Sequence, residues 1–200
     1  MASSHNVIAK LIKDSIAVKQ ELLDDSAQLL LIDRIATDIV AALQRGNKVI
    51  FCGNGGSFAD SIHLTAELVS RFQNGKRKPF AGIALGTNSS TLTAISNDYE
   101  YEETFAREIM AIGQAGDILI ALSTSGSSEN VLRAVNAALG MNIQVFGMTG
   151  KSGGKLANTA AIAGCLKVPS DVTARIQESH ILVGHIICEL VENALSKSDG

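Results

Sequence analysis

Three of the chain's four histidines fall in two apolar, helix-patterned stretches. In the first, "FCGNGGSFADSIHLTAELVSRF" from Phe51, His63 precedes Glu67 by four residues. That spacing puts both side chains on one helical face. Such a pair clamps a divalent ion, works as acid and base, or is a plain surface contact worth about 0.2–0.5 kcal/mol. The second stretch, "TARIQESHILVGHIICELVEN", is strongly apolar yet carries Gln177, His180 and His185. A lone buried histidine is more often a satisfied core residue than a ligand. His63, Glu67, Gln177 and His185 taken together, however, suit a borderline divalent ion such as Zn2+. Gln177 and His185 are eight residues apart, about 12 Å along a helix axis. Ligand bonds are only about 2 Å long. The two side chains therefore flank a site from both ends, or a neighbouring subunit supplies one of them.

Three loops could hold a ligand. "GNGGS" (Gly53–Ser57) lacks the G-x-G-x-x-G spacing of a dinucleotide turn and the Lys-Ser/Thr of a P-loop. Its glycines permit positive φ in a tight turn, or let a small ligand approach the backbone closely. "STSGSS" (Ser123–Ser128) packs four serines and a threonine around one glycine, just before a helical pattern. Hydroxyls and free N–H groups at a helix N-terminus make an anion site fit for phosphate. Ordinary N-capping needs one hydroxyl, and this loop has five. "TGKSGG" (Thr149–Gly154) reads as a further anion loop or as a solvated turn.

These loops need strands and helices to aim them. "KVIFC", "AGIAL", "DILIAL", "IQVFGMT" and "AIAGCLKV" are short apolar runs rich in Ile, Val and Leu. They alternate with helical patterns at Ser57–Arg71, Thr104–Ala111, Glu129–Leu139 and Ala174–Asn193. This predicts a parallel sheet covered on both faces, with ligands bound at the carboxyl ends of its strands. Two helices precede the first strand, one striped by Val7, Leu11, Ile12, Ile16 and Val18, the next by Leu29, Leu30, Ile32, Ile35, Ile39 and Val40. Together they expose more apolar surface than a helical hairpin hides, which predicts a homo-oligomer. The expected organisation is a single domain over 1–200, with a helical arm at about 5–45, an α/β core at about 48–195 and a frayed tail "SKSDG".

Composition narrows the class. Apolar residues make 46% and charged residues 18% of 200, which fits a globular chain with a sizeable core. A net charge of −3 with no long basic run gives no electrostatic case for nucleic acid. No apolar run has membrane-spanning length. Cys52, Cys165 and Cys188 are odd in number and dispersed, as expected of reduced thiols in a cytoplasmic protein.

"CGNGGS", "AISNDYEYE", "STSGSSENV", "TG…GG" and "TARIQESH…GH" together resemble the sugar isomerase (SIS) domain family, most closely its phosphoheptose isomerases, over about residues 5–195. The resemblance implies a three-layer sandwich around a five-stranded parallel sheet, a homotetramer and a zinc ion. It also implies conversion of sedoheptulose 7-phosphate to D-glycero-D-manno-heptose 7-phosphate, which feeds ADP-heptose and the lipopolysaccharide core. By motif it assigns substrate contacts to Asn54, Gly55, Gly56, Ser57, Asn97 and Asp98, and phosphate binding to Ser123, Thr124, Ser125 and Ser128. His63 and Glu67 become metal ligands, with Glu67 also catalytic, and Gln177 and His185 take metal-site and catalytic roles. Two positions depart from the pattern: "NGKRKPFAG" lacks the usual Arg-Pro turn, and Ala174 stands where some members carry Asp.

The implied chemistry moves a proton between C1 and C2 of a ketose through a cis-enediol. Glu67 would be the base and His185 the proton shuttle at O1 and O2. A non-catalytic relative that binds the bacterial replication initiator shares the fold but lacks the acidic residue and final histidine, both present here. A sugar-phosphate-sensing regulator would carry a DNA-binding module, and this sequence shows none.

Overall fold

The structure, a computed structural model, describes residues 4–196. The expectation for the tail falls mostly outside them. Helices α1 (Ser4–Asp24) and α2 (Ser26–Gln44) lead into the alternating core. The core runs β1 (Val49–Gly53), α3 (Gly56–Val69), β2 (Gly82–Ala84), α4 (Ser89–Asp98), a 3-10 turn (Tyr101–Glu103) and α5 (Thr104–Ile112). It continues through β3 (Ile118–Leu122), α6 (Glu129–Gly140), β4 (Gln144–Thr149), α7 (Gly154–Ala157), β5 (Gly164–Lys167) and α8 (Thr173–Ser196). All five strands are parallel, in the order β2-β1-β3-β4-β5.

Alternation along the strands builds the three layers. Val49, Phe51, Ile118, Ile120, Leu122, Phe146 and Met148 point to one face, where α2, α3 and α8 cover them. Ile50, Cys52, Leu119, Ala121 and Val145 point to the other, against residues of α5 and α6. Both faces are apolar, so the strands read as continuous apolar runs. Chain order reverses at β1, flanked by β2 on one side and β3 on the other. In such sheets the crevice between the loops after the two reversing strands is the usual ligand position. Here those loops are "GNGGS" and "STSGSS".

Asp25 caps α2 by accepting from the N–H groups of Ala27 and Gln28. Helix α1 buries only Leu22, while Val7, Leu11, Ile12 and Ile16 of its stripe stand exposed. It is pinned at one side by α8: Arg175 donates to the Leu11 carbonyl at 2.6 Å, and Ser15 to Glu178 at 2.6 Å. At the amino edge of the sheet, Asp117 is fully buried and accepts from the backbone N–H of Lys48 and Gln114 and from the side chains of Lys48 and Asn47. Burial pushes its carboxyl up, but these donors outweigh it and hold it below the usual range. Helix α4 has no apolar period in the sequence to announce it; its Ser/Thr-rich run has weak helix propensity, and Asn88 starts it by accepting from the N–H groups of Ser90 and Thr91.

His180 is fully buried on α8, and its Nε2–H donates to the Thr149 carbonyl at 3.2 Å, clipping α8 to the end of β4. Its Nδ1 has no protein partner. Burial pulls its pKa down to about 4, only partly offset by Thr149. Below pH ~6.5 the unfolded chain takes a proton that the fold refuses. This contribution is therefore full above pH ~6.5 and is lost as pH falls toward about 4, amounting to about 3 kcal/mol across the window. Urea midpoints measured from pH 7 to pH 4.5 should fall, and His180→Gln should flatten that dependence. An equally steep dependence in the variant would show that other groups control it.

Candidate active site

At the start of α3, Gly55 has φ +56°, a conformation glycine adopts without strain. A Cβ on Gly56 would collide with the side-chain amide of Gln177. These two glycines of "GNGGS" thus serve backbone geometry and the close approach of α8. Asn54 exchanges paired amide hydrogen bonds with buried Asn130 on α6, at 2.8 and 2.9 Å. Its Oδ1 also accepts from the Tyr101 hydroxyl at 2.9 Å. One Nδ2 hydrogen and the backbone N–H of Asn54 are left for a substrate. Ser57 is buried, and its carbonyl accepts from Ser61. Asn97 and Asp98 end α4, exposed and bonded to each other at 2.8 Å, just before the Tyr101 turn that leans on Asn54.

The "STSGSS" loop is braced from behind. Gly126 has φ +65°, and a Cβ there would strike the Gly153 carbonyl of the next loop. Leu156 N–H donates to the Gly126 carbonyl at 2.8 Å, and Gly150 N–H to that of Thr124 at 3.0 Å. Ser128 is the N-cap of α6, but its side chain makes no capping hydrogen bond; it pairs with the Ser123 hydroxyl at 3.0 Å instead. Ordinary capping therefore does not account for this serine. Thr124 and Ser125 line an open cavity of about 260 Å³ with Lys151, Ser152, Asp171 and Thr173. Hydroxyls at the amino end of a 12-residue helix, with a lysine nearby, suit a phosphate.

The acid, base and metal candidates gather two turns further along α3. His63 Nε2 lies 2.8 Å from His185 Nε2 and 3.2 Å from Glu67 Oε1. One of the two facing nitrogens must therefore carry a hydrogen and donate to the other. Ligand atoms of His63, Glu67 and His185 all fall within 4.8 Å of one another. Two imidazoles and one carboxylate match catalytic zinc sites, which use three protein ligands and keep a fourth position open. The donor chemistry thus fits the ion. Gln177 is not gathered with them: its amide rests on Gly56, about 10 Å up the α3 axis from His63. Within one chain, Gln177 meets the start of α3 and His185 meets it two turns further on.

Several neighbours had no motif to announce them. Asp60, one turn before His63, has Oδ2 buried without a protein partner. Burial raises its pKa, and His63 draws it back. Phe72 packs its ring on His185 at 5.7 Å. Arg77 and Glu192 form an ion pair at 2.6 Å, their side chains 3% and 5% exposed. Burial alone would raise the Glu192 carboxyl, but Arg77 and the backbone N–H groups of Asn74, Gln73 and Phe72 bring it down to about 2. The Cys188 thiol, near Glu67, is pushed up to about 12, chiefly by burial.

Known proteins resemble this chain over most of its length. A family model of the SIS domain matches residues 13–150. The phosphoheptose isomerase of Rhodospirillum rubrum is 52% identical over 157 residues, covering 78% of this chain and 82% of that one. That of Aneurinibacillus thermoaerophilus is 46% identical over 187 residues, covering 94% and 93%. The solved phosphoheptose isomerase of Neisseria gonorrhoeae superposes with a TM-score of 0.87 at 37% identity, over 96% of this chain and all of the other. With its sheet order, its two braced loops and its His/Glu/His group, the chain belongs to the SIS domain family and, within it, to the phosphoheptose isomerases.

Proposed function

We propose that the protein isomerises sedoheptulose 7-phosphate to D-glycero-D-manno-heptose 7-phosphate through a cis-enediol, as a step toward ADP-heptose and the lipopolysaccharide core. The observation that carries this reading is a carboxylate and two imidazoles within 4.8 Å, in a chain that also presents a serine-rich loop at a helix N-terminus. The 7-phosphate takes hydroxyl and N–H hydrogen bonds from Ser123, Thr124, Ser125 and Ser128. Asn54, Gly55, Gly56, Ser57, Asn97, Asp98 and Gln177 contact the sugar. Glu67, whose side chain is 21% exposed, takes the proton from C1 and returns it at C2. His185 moves protons at O1 and O2. Holding the substrate by its phosphate orients C1 and C2 toward the base. His63, Glu67 and His185 are the residues to hold zinc, joined by Gln177 only if another subunit supplies it; zinc, when bound, would polarise a carbonyl and stabilise enediolate charge. Both Glu67 and His185 are present, which favours the enzyme over a non-catalytic initiator-binding protein.

We further read the protein as a cytoplasmic homotetramer with active sites at subunit boundaries. Three free cysteines support the compartment, and no described helix is long and apolar enough to cross a membrane. Exposure of Ile8, Ile12, Ile16 and Leu30 at 56–71% supports burial by other subunits.

Glu67→Gln keeps size and removes the base. Turnover with sedoheptulose 7-phosphate should drop roughly 10²–10⁴-fold with KM little changed. Near-normal turnover would remove Glu67 as the base. The double change Ser125→Ala with Ser128→Ala should raise KM roughly 10–100-fold, while an unphosphorylated heptulose is indifferent. Equal losses on both substrates would mean the loop does not read phosphate. Light scattering should return four subunits, and Ile12→Lys with Ile16→Lys should lower that number; a monomeric parent would reject the assembly.

A further inference from the structure

The Arg77–Glu192 pair sits outside the His/Glu/His group, yet Glu192 lies on α8 with His185 and the pair's remaining hydrogen bonds run to the end of α3 and the loop that follows it. Arg77 lies in the loop between α3 and β2. Its guanidinium donates to Glu192 through Nε at 2.6 Å, to the Glu67 carbonyl at 2.6 Å, and to the carbonyls of Leu68 and Lys78 at 2.9 Å each. Glu67 and Leu68 are among the last residues of α3, whose carbonyls have no partner within the helix. Arg77 therefore closes the end of α3 at the very residue that bears the proposed base. Its cationic carbon is stacked 4.1 Å from the centre of the Phe80 ring, so the fork is held in place.

Glu192 completes the other half. It lies seven residues after His185, two turns along the same face of α8. Its carboxylate accepts from the backbone N–H of Phe72 at 3.1 Å, Gln73 at 2.7 Å and Asn74 at 2.8 Å. The first of these fixes the residue whose ring lies on His185. One buried pair thus anchors the backbone of Glu67 from one side and the aromatic support of His185 from the other. A hydrophobic pair would fill this volume as well, but it would leave the Glu67 carbonyl and three loop N–H groups without their partners; the Leu68 carbonyl would keep only the Phe80 N–H.

We infer that Arg77 and Glu192 are positioning residues, which set the end of α3 and the Phe72 ring so that Glu67, His63 and His185 converge. The inference rests on the proposed role of those three residues. Lysine at position 77 keeps the charge facing Glu192 but loses the planar fork that reaches Glu67. Glutamine at 192 keeps the shape and loses the charge.

The test uses Arg77→Lys, Glu192→Gln and, to spare the ion pair, Phe72→Leu, each in the full chain. Two readouts are taken. The first is kcat and KM for the sugar phosphate per folded molecule. The second is the ring-proton NMR signals of the histidines in metal-free protein, which needs no activity. The expected result is a tenfold or greater fall in kcat with KM within twofold for Arg77→Lys and Glu192→Gln. The His63 and His185 signals should move in both variants while His5 stays fixed. Phe72→Leu should move His185 alone. A lowered Tm with unmoved His63 and His185 signals and kcat within twofold of the parent would overturn the inference, leaving the pair a stability element. A parent with no isomerase activity would defeat the functional reading by itself, and the NMR shifts would still decide the positioning role.

Discussion

Helices α3 and α8 lie so close that neither tolerates a side chain at its tightest points, and the proposed chemistry depends on that closeness. A Cβ on Gly184 would fall 2.5 Å from a methyl of Leu64, which is itself buried to 1% and has nowhere to go. Two turns earlier, Gly56 leaves room for the amide of Gln177. The residues next in sequence to the first contact are His63 and His185. Their 2.8 Å approach is therefore permitted by the backbone packing beside them. A larger residue at 184 would separate the helices, and the separation would be felt first at the histidines. Interiors are packed densely enough that such a shift is transmitted rather than absorbed.

The same packing separates two tasks along one helix. The amino end of α3 meets the crevice where sheet order reverses, beside the braced serine loop. Its carboxyl half carries His63 and Glu67. The first end presents backbone N–H groups and hydroxyls, the groups of the proposed phosphate site. The second end gains from side chains that exchange protons.

Much of this was legible in the sequence because it rests on local rules. The five strands are continuous apolar runs, since both sheet faces are covered, and the long helices announce themselves by period. His63 and Glu67 were readable as a pair because four residues make one turn. The serine loop stood out by its excess of hydroxyls. What was illegible depends on contacts far apart in the chain. Arg77 in "NGKRKPFAG" looks like one cation in a solvated loop, and Glu192 like one more acid on an amphipathic helix; only the fold brings them within 2.6 Å. Asn130, in the first turn of α6, carries no motif that announces it as the partner of Asn54. The role of Gly56 was ambiguous until α8 was seen resting on it. Periodicity placed Gln177 and His185 two turns apart, but it could not say which of them meets His63.

The surroundings of the His/Glu/His group link chemistry to assembly. Ile62 and Ile186, the immediate neighbours of His63 and His185, are 42% and 39% exposed, and Leu182 and Leu190 on α8 are 37% and 38% exposed. His63 itself is 48% exposed at its side chain. For the proposed proton-transfer group, exposed apolar flanks bring two deficits: its electrostatics are diluted by water, and its neighbours are unfavourably hydrated. One covering surface corrects both. Excluding water would strengthen each charge interaction within the group, while burying the flanking side chains would contribute about 25 cal/mol per Å². In the proposed homotetramer, a contact that covered this apolar rim would stabilise the oligomer and at the same time complete the environment of the proposed base Glu67.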